Sequence, residues 1–222
     1  MPAFSFDRTP NLLLVLIRDI IEKDEELKSL SPKILVTGKL TNKLLDTYEL
    51  ICDGKNKEDI DFIKTYKNLR RLREFKEVQS SLSDKTPKII LASSGFCTNG
   101  HVVWYLERLL GKKENTIIFS GYSSPDSPAT AIKTAYQTGN LNIKLGKSIV
   151  TMHCDVLELY SFSSHIMRDD LIKYITHTNM DKCVLVHGDA REELAEDLEI
   201  EFSKLNKTTK VLVPKIGQSL LF

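Results

Sequence analysis

Short apolar runs, each stopped by a small polar turn, recur along this chain: KILVT before Gly38, KIILA before SSGFCTNG, TIIFS before GYSSP, and CVLV before HGDA. Runs of this length without polar alternation belong to strands buried on both faces. Between them lie segments with helical periodicity, long enough to carry the chain back across a sheet. Thr9 and Pro10 read as an N-cap and first helical residue opening NLLLVLIRDIIEKDEELKSL. Further helices are expected near 42–50, as one charged stretch over 57–80, and at 101–110, 129–137, 169–177 and 191–205. Strand and helix in alternation restrict the fold to α/β, a mostly parallel sheet with helices on both faces.

The rhythm changes after Gly139. Residues 149–160 read as one long strand in which Val150, Met152, Cys154 and Val156 face one way and Thr151, His153 and Asp155 the other. That geometry keeps His153 and Cys154 off a common metal. The segment GNLNIKLGK, with two glycines and two asparagines, suggests a boundary near 138–147, dividing the chain into 1–140 and 141–222.

With formal net charge +1, any attraction to nucleic acid has to come from a local patch. The longest apolar run, Leu12 to Ile17, is too short to span a bilayer, and no secretory leader is visible. Four widely separated cysteines read as reduced thiols, and the expected location is cytoplasmic.

Three features bear on chemistry. The loop SSGFCTNG joins a strand to a helix, and its backbone N–H groups suit a phosphate. Gly95 and Gly100 keep P-loop spacing, but His101 and Val102 stand where lysine and a hydroxyl residue belong, which argues against nucleotide hydrolysis. A plain turn needing glycine is the other reading. The stretch KTYKNLRRLREFK would set Lys64, Lys67 and Arg71 on one side of a helix, flanked by Arg70 and Arg73. It either tracks a phosphate backbone or is a solvated helix face. Finally, His165 and His187 each follow an apolar run, in SFSSH and VLVHGD, at a strand end where α/β folds build sites. Each is a metal ligand or proton carrier, or else an ordinary turn histidine. Gly188 permits a sharp turn after His187, and Asp189 suits a partner for its second nitrogen. The chain has no H-x-H, H-x-x-x-H or C-x-x-C cluster.

Together these motifs resemble the metallo-β-lactamase/β-CASP family of RNA-processing nucleases. PAFSFDR is similar to the family's P-A-F-A-x-G-R, and KIILASSGFCTNGHVVWYLERLL to its I-I-x-A-S-S-G-M-x-x-G-G segment. IIFSGY fits the strand and turn that follow. SFSSH resembles G-F-S-A-H, and VLVHGD resembles V-x-L-V-H-G-E. The resemblance implies a β-CASP-like sheet followed by the closing portion of a metallo-β-lactamase fold. It also implies zinc-assisted phosphodiester hydrolysis of RNA, with two zinc ions in the complete family site. His165 falls on the histidine that assists catalysis, and His187 on the last zinc ligand. Ser93, Ser94, Gly95 and Ser163 fall on substrate-binding positions.

The departures from the family are equally specific. The family's H-x-H-x-D-H motif is absent from this sequence, and one histidine cannot hold zinc. Asp7 replaces a glycine, Gly38-Lys39 stands where Ser-Pro is common, and Met167 replaces an acidic residue. The expectation is a chain that is inactive and zinc-free alone. It would pair with the missing metallo-β-lactamase half or with an oligomer partner, and have no membrane role. The alternative is a non-catalytic RNA-binding or scaffolding subunit that pairs with an active partner.

Overall fold

The computed structural model describes residues 1–159, 161–162 and 166–220. Two compact units divide it, Met1–Ser163 and Ser164–Phe222.

In the first unit the strands β1 (Lys33–Thr37), β2 (Leu69–Leu72) and β3 (Lys88–Ala92) form a parallel sheet in the order β2-β1-β3. The central strand explains the apolar run. Ile34 and Val36 are fully buried toward one cluster, with Leu12, Leu13, Ile17 and Ile63, while Leu35 is buried toward another, with Val102, Leu106 and Phe119. A strand covered on both faces has no room for polar alternation. The helices that cover it are α1 (Arg8–Leu14), continuing as a π-helical segment Val15–Ile21, α3 (Lys39–Ile51), α4 (Gly54–Thr65), α5 (Phe75–Ser80) and α6 (His101–Leu109). A short α2 (Glu25–Leu30) is capped by Asp24, which accepts from the Leu27 N–H at 2.9 Å.

Two helical expectations are corrected. The first helix begins at Arg8, so Thr9 is not its cap. The Thr9 hydroxyl instead donates to the Phe4 carbonyl at 2.8 Å, and Pro10, inside the first turn, has no N–H to leave unmet. The charged stretch 57–80 is not one helix. It is α4, then strand β2, then α5, because Leu69 and Leu72 pair with Ile34 and Thr37 of β1. Strand pairing overrides the helical propensity of an arginine-rich run.

β4 (Thr116–Phe119) pairs in parallel with β7 (Asp155–Glu158), and α7 (Pro128–Thr138) packs nearby. β5 (Asn142–Leu145) and β6 (Ser148–Thr151) form an antiparallel hairpin around Gly146 and Lys147, with Gly146 at φ 57 as a tight two-residue loop demands. The long strand expected at 149–160 is therefore two strands. The Met152 N–H goes to Leu141, those of His153 and Cys154 both go to the Leu110 carbonyl, and that of Asp155 goes to Asn115. The chain changes partner there, yet alternation of burial survives: Met152, Cys154 and Val156 are buried and His153 is exposed.

The second unit holds α8 (Arg168–His177), β8 (Lys182–Val184), α9 (Arg191–Lys204) and β9 (Lys210–Leu212). β8 and β9 pair in parallel, and Cys183, Leu185, Leu198, Phe202 and Val211 form its core. Among the described residues no helix is long and apolar enough to cross a membrane.

Candidate nucleic-acid interface

The polar loops of the first unit gather where strands end. Residues 1–3 run beside β3: the Ala3 N–H bonds to Ala92 at 3.0 Å, and the Ala92 N–H bonds to Met1 at 3.1 Å. The following residues then cross the strand ends. The Ser5 and Thr41 hydroxyls share a buried hydrogen bond of 2.8 Å, which ties the segment to the start of α3. Arg8 donates through Nη1 to the Ser120 carbonyl at the end of β4. The Phe4 ring lies on Gly95, where an added Cβ would sit 2.8 Å from ring carbon Cε2. Three separate sequence motifs, PAFSFDR, SSGFCTNG and SGY, thus meet, at the carboxyl ends of strands where open α/β sheets place ligands.

Within the loop Ser93–Gly100 much of the backbone is already engaged. The N–H groups of Ser94, Cys97, Val102 and Val103 bond to the carbonyls of Asn99, Ser94, Ser93 and Gly100, at 3.3, 3.1, 3.3 and 3.3 Å respectively. The Ser94 hydroxyl accepts from the Thr98 N–H at 3.1 Å and meets the Thr98 hydroxyl at 3.0 Å. The start of α6 is therefore capped by its own loop, which leaves fewer N–H groups for a phosphate than the sequence suggested. Two glycines permit the fold. Gly38, at φ +130, lets the Ser93 side chain close over the start of α3, and a Cβ there would collide with the Ser93 hydroxyl. Gly100, at φ +81, puts its Cα against the Ser93 carbonyl, 2.8 Å from where a Cβ would be. Cys97 is buried, and burial pushes its thiol up to about 12, so it is no nucleophile at neutral pH.

His101, in the place of the P-loop lysine, is held by two contacts. Its Nδ1 lies 2.6 Å from the Thr37 hydroxyl, which is buried at the end of β1, and its ring packs on Phe75 at 5.6 Å. Desolvation lowers its pKa, which favours the neutral ring. The partner of His101 is supplied by a residue 64 positions away, which no local pattern reveals.

Three cations of the basic stretch, Lys64, Arg71 and Arg73, are engaged by carboxylates of the same unit, while Lys67 and Arg70 are exposed. Arg71 reaches Asp46 at 2.6 Å and Glu49 at 2.8 Å, and donates to the Asn42 carbonyl at 2.6 Å. Arg73 also takes Asp46, at 2.8 Å, and Lys64 takes Glu49, at 3.2 Å. Hydrogen bonding from Arg73, then from Arg71, holds the Asp46 carboxyl far below the usual carboxylate range. Carboxylates thus offset Lys64, Arg71 and Arg73, which weakens the phosphate-tracking reading of this stretch without removing the charge of Lys67 and Arg70.

In the second unit His187 lies beyond β8, exposed, at φ 60, followed by Gly188 at φ 99. Two left-handed residues in succession make the sharp turn that the sequence indicated. His165 and Ser163 lie outside the described residues. Among the described residues no three of His, Cys, Asp or Glu gather closely enough to hold a metal ion. These donors do not fit a zinc centre, which needs three or four ligands.

A doubly covered parallel sheet with converging strand-end loops, followed by a small separate α/β unit, defines a two-part α/β protein. Residues 11–132 match the Beta-Casp domain family, and residues 149–214 match the Zn-dependent metallo-hydrolase RNA specificity domain. The chain belongs to the β-CASP family of RNA-processing metallo-β-lactamase proteins. It is 29% identical over 123 residues to a transcription termination factor, FttA, of Methanocaldococcus jannaschii, covering 54% of this chain and 19% of that one. It is 27% identical over 198 residues to endoribonuclease YSH1 of Candida glabrata, covering 85% and 25%. It is 26% identical over 236 aligned positions to cleavage and polyadenylation specificity factor subunit 3 of Dictyostelium discoideum, covering 99% and 27%. The chain thus spans about a fifth to a quarter of the length of these relatives. The second family match begins inside β6, so β6 and β7, which pair with β5 and β4 in the first unit, carry sequence of the RNA specificity domain.

Proposed function

We propose that this chain is the β-CASP and RNA-specificity part of a zinc-dependent RNA-processing phosphodiesterase. It binds RNA at the strand ends of its first unit and does not cut RNA by itself. The observation that carries this reading is the convergence of the 2–8 segment, the 93–100 loop and the 120–122 turn in a chain of this family. Ser93, Ser94 and Gly95, in the 93–100 loop, and Ser163 are the substrate-contacting residues in this reading. His187 contributes one donor to the family's zinc centre and His165 assists beside it, while the remaining donors come from outside this sequence. A partner carrying those donors completes the enzyme, in the reducing setting of the cytoplasm that suits four free thiols.

The test is direct. Purified chain is mixed with labelled single-stranded RNA, with and without added zinc, and its metal content is measured. Binding without cleavage, at well under one zinc per chain, is expected. Chelator-sensitive cleavage, or about two tightly held zinc ions per chain, would overturn the proposal. Loss of RNA binding altogether would remove the RNA reading as well.

A further inference from the structure

The amino ends of β4 and β7 lie at the far end of their sheet from the 120–122 turn, and two polar segments meet there. Residues 110–115, after α6, lead into β4, and residues 152–154 lead into β7. The Leu110 carbonyl accepts from the N–H groups of His153 and Cys154, at 2.8 and 3.1 Å, and the Asn115 carbonyl accepts from that of Asp155 at 3.1 Å. Gly111 comes so close that an added Cβ would stand 3.4 Å from the Thr151 carbonyl oxygen. The base of the β5–β6 hairpin is thereby fixed beside the loop that carries Lys112 and Lys113.

The hairpin has a buried and an open face. Ile143 and Leu145 are buried, while Asn142, Lys144, Ile149 and Thr151 are exposed. These four share one face, since Asn142 pairs with Thr151 and Lys144 with Ile149. The Thr151 hydroxyl donates to the Asn142 side chain at 2.9 Å. Ile149, directly across from Lys144, is apolar surface on which the lysine stem can lie while its ammonium stays in water. Lys147 in the turn, and Lys112 and Lys113 at the base, are exposed as well. The hairpin measures about 13 Å from Thr151 to its turn, so the four ammonium groups are spread along it from base to tip.

Carboxylates offset this group only in part. Glu107 of α6 accepts from the Ser148 hydroxyl at 3.1 Å and pairs with Arg108 at 3.3 Å. The other acids of these segments are Glu114 and Asp155, and Asp155 accepts from the Tyr136 hydroxyl of α7 at 3.3 Å. Four lysines against these two acids make a positive pole in a chain whose formal net charge is +1. Residues 107–115 and 142–155 contain no aromatic ring to stack on a base. Lysine, a hydrated point charge, lacks the planar fork with which arginine reads an edge. A surface of this kind takes phosphates and reads no sequence.

We propose that the β5–β6 hairpin and the loop 111–113 form a second RNA contact, which holds flanking RNA by its phosphates alone. Lys144 and Lys147 fall between the two family matches, 11–132 and 149–214. The proposal rests on the RNA-binding reading above and adds to it a sequence-independent site at the opposite end of the β4–β7 sheet.

Fluorescence anisotropy on the full chain tests it, with labelled oligouridine, labelled oligoadenosine and an RNA duplex across a salt series. A variant with Lys112→Gln, Lys113→Gln, Lys144→Gln and Lys147→Gln is expected to reduce the slope of log affinity against log salt by about three on single strands, at about 0.7 per phosphate contact. The reduction is the same for both sequences and is present on the duplex too. A second variant, with Lys28→Gln, Lys55→Gln, Lys85→Gln and Lys173→Gln, removes the same charge at exposed positions elsewhere and keeps the wild-type slope. If the fourfold hairpin variant melts below wild type, Lys144→Gln alone decides, with an expected reduction of about one. A wild-type slope in the hairpin variant, or an equal loss in both variants, overturns the second contact while leaving RNA binding intact. Labelled polyglutamate bound as tightly as oligouridine, and released by the hairpin changes, would make this a surface for an acidic protein and overturn the proposal as well. A wild-type chain that binds no RNA overturns both readings.

Discussion

Replacing Gly100 by alanine isolates the packing that shapes the 93–100 loop. Gly100 sits at φ 81 and ψ −165, a region essentially closed to residues with a Cβ, and holding alanine there costs about 1–3 kcal/mol. The new methyl would also lie 2.8 Å from the Ser93 carbonyl oxygen. That atom is backbone, and it accepts the Val102 N–H that starts α6, so it cannot step aside as a flexible side chain would. Relieving the overlap adds about 1–3 kcal/mol, as for other over-packed sites. The control is Gly139→Ala. Gly139 ends α7 in the left-handed region at φ 73 and ψ 7, with nothing within 4 Å of an added Cβ, so its penalty is the backbone one alone, about 1 kcal/mol. Urea unfolding followed by Trp104 fluorescence reads the first unit, which contains that residue. Gly100→Ala should lower the midpoint clearly more than Gly139→Ala, with m unchanged, corresponding to a stability difference of about 1–5 kcal/mol. Equal losses in the two variants would refute the claim that the Ser93 carbonyl closes this position.

Asp46 supplies a pH test. Because its folded pKa is depressed by Arg73 and Arg71, its contribution to stability is present above the ordinary carboxylate range, about pH 4, and is lost as pH falls below it. Wild type should therefore lose more stability on acidification from pH 5 to pH 3 than Asp46→Asn, measured by thermal melts; parallel curves would remove the network's role. The thiols supply another. Cys97, Cys154 and Cys183 are buried and Cys52 is half-exposed, so a thiol reagent at pH 8 should label one cysteine promptly and the other three only on unfolding. Rapid labelling of Cys97, whose thiol is pushed up to about 12, would contradict its burial.

The strands that the sequence reveals most clearly are those whose environment is uniform. β1 and β3 are legible because both faces meet apolar side chains, so burial is written in consecutive residues. β2 is not: LRRL carries two arginines, and only pairing with β1, together with the Asp46 and Glu49 carboxylates that receive Arg71, makes a strand of it. The break between β6 and β7 is hidden for a related reason. Burial alternates without interruption from Val150 to Val156, while the backbone changes partner from β5 to β4. Side-chain pattern records which face is covered, and says nothing about which neighbour supplies the hydrogen bonds. The candidate site divides in the same way. Glycines that require special backbone angles stand out as residue types, whereas the pairing of Thr37 with His101, or of Arg8 with Ser120, joins residues 64 and 112 positions apart.

From its order of residues alone this protein is an α/β chain with buried parallel strands, strand-end loops suited to a ligand, and the marks of β-CASP ancestry. Those properties are local, since each depends on which side chains follow one another. Tertiary structure alone decided that Arg71 and Arg73 are held by Asp46 and Glu49, while Arg8 is held by the Ser120 carbonyl 112 positions away. Whether a charge is satisfied depends on what lies within a few ångströms of it, and that neighbourhood exists only once distant segments have packed.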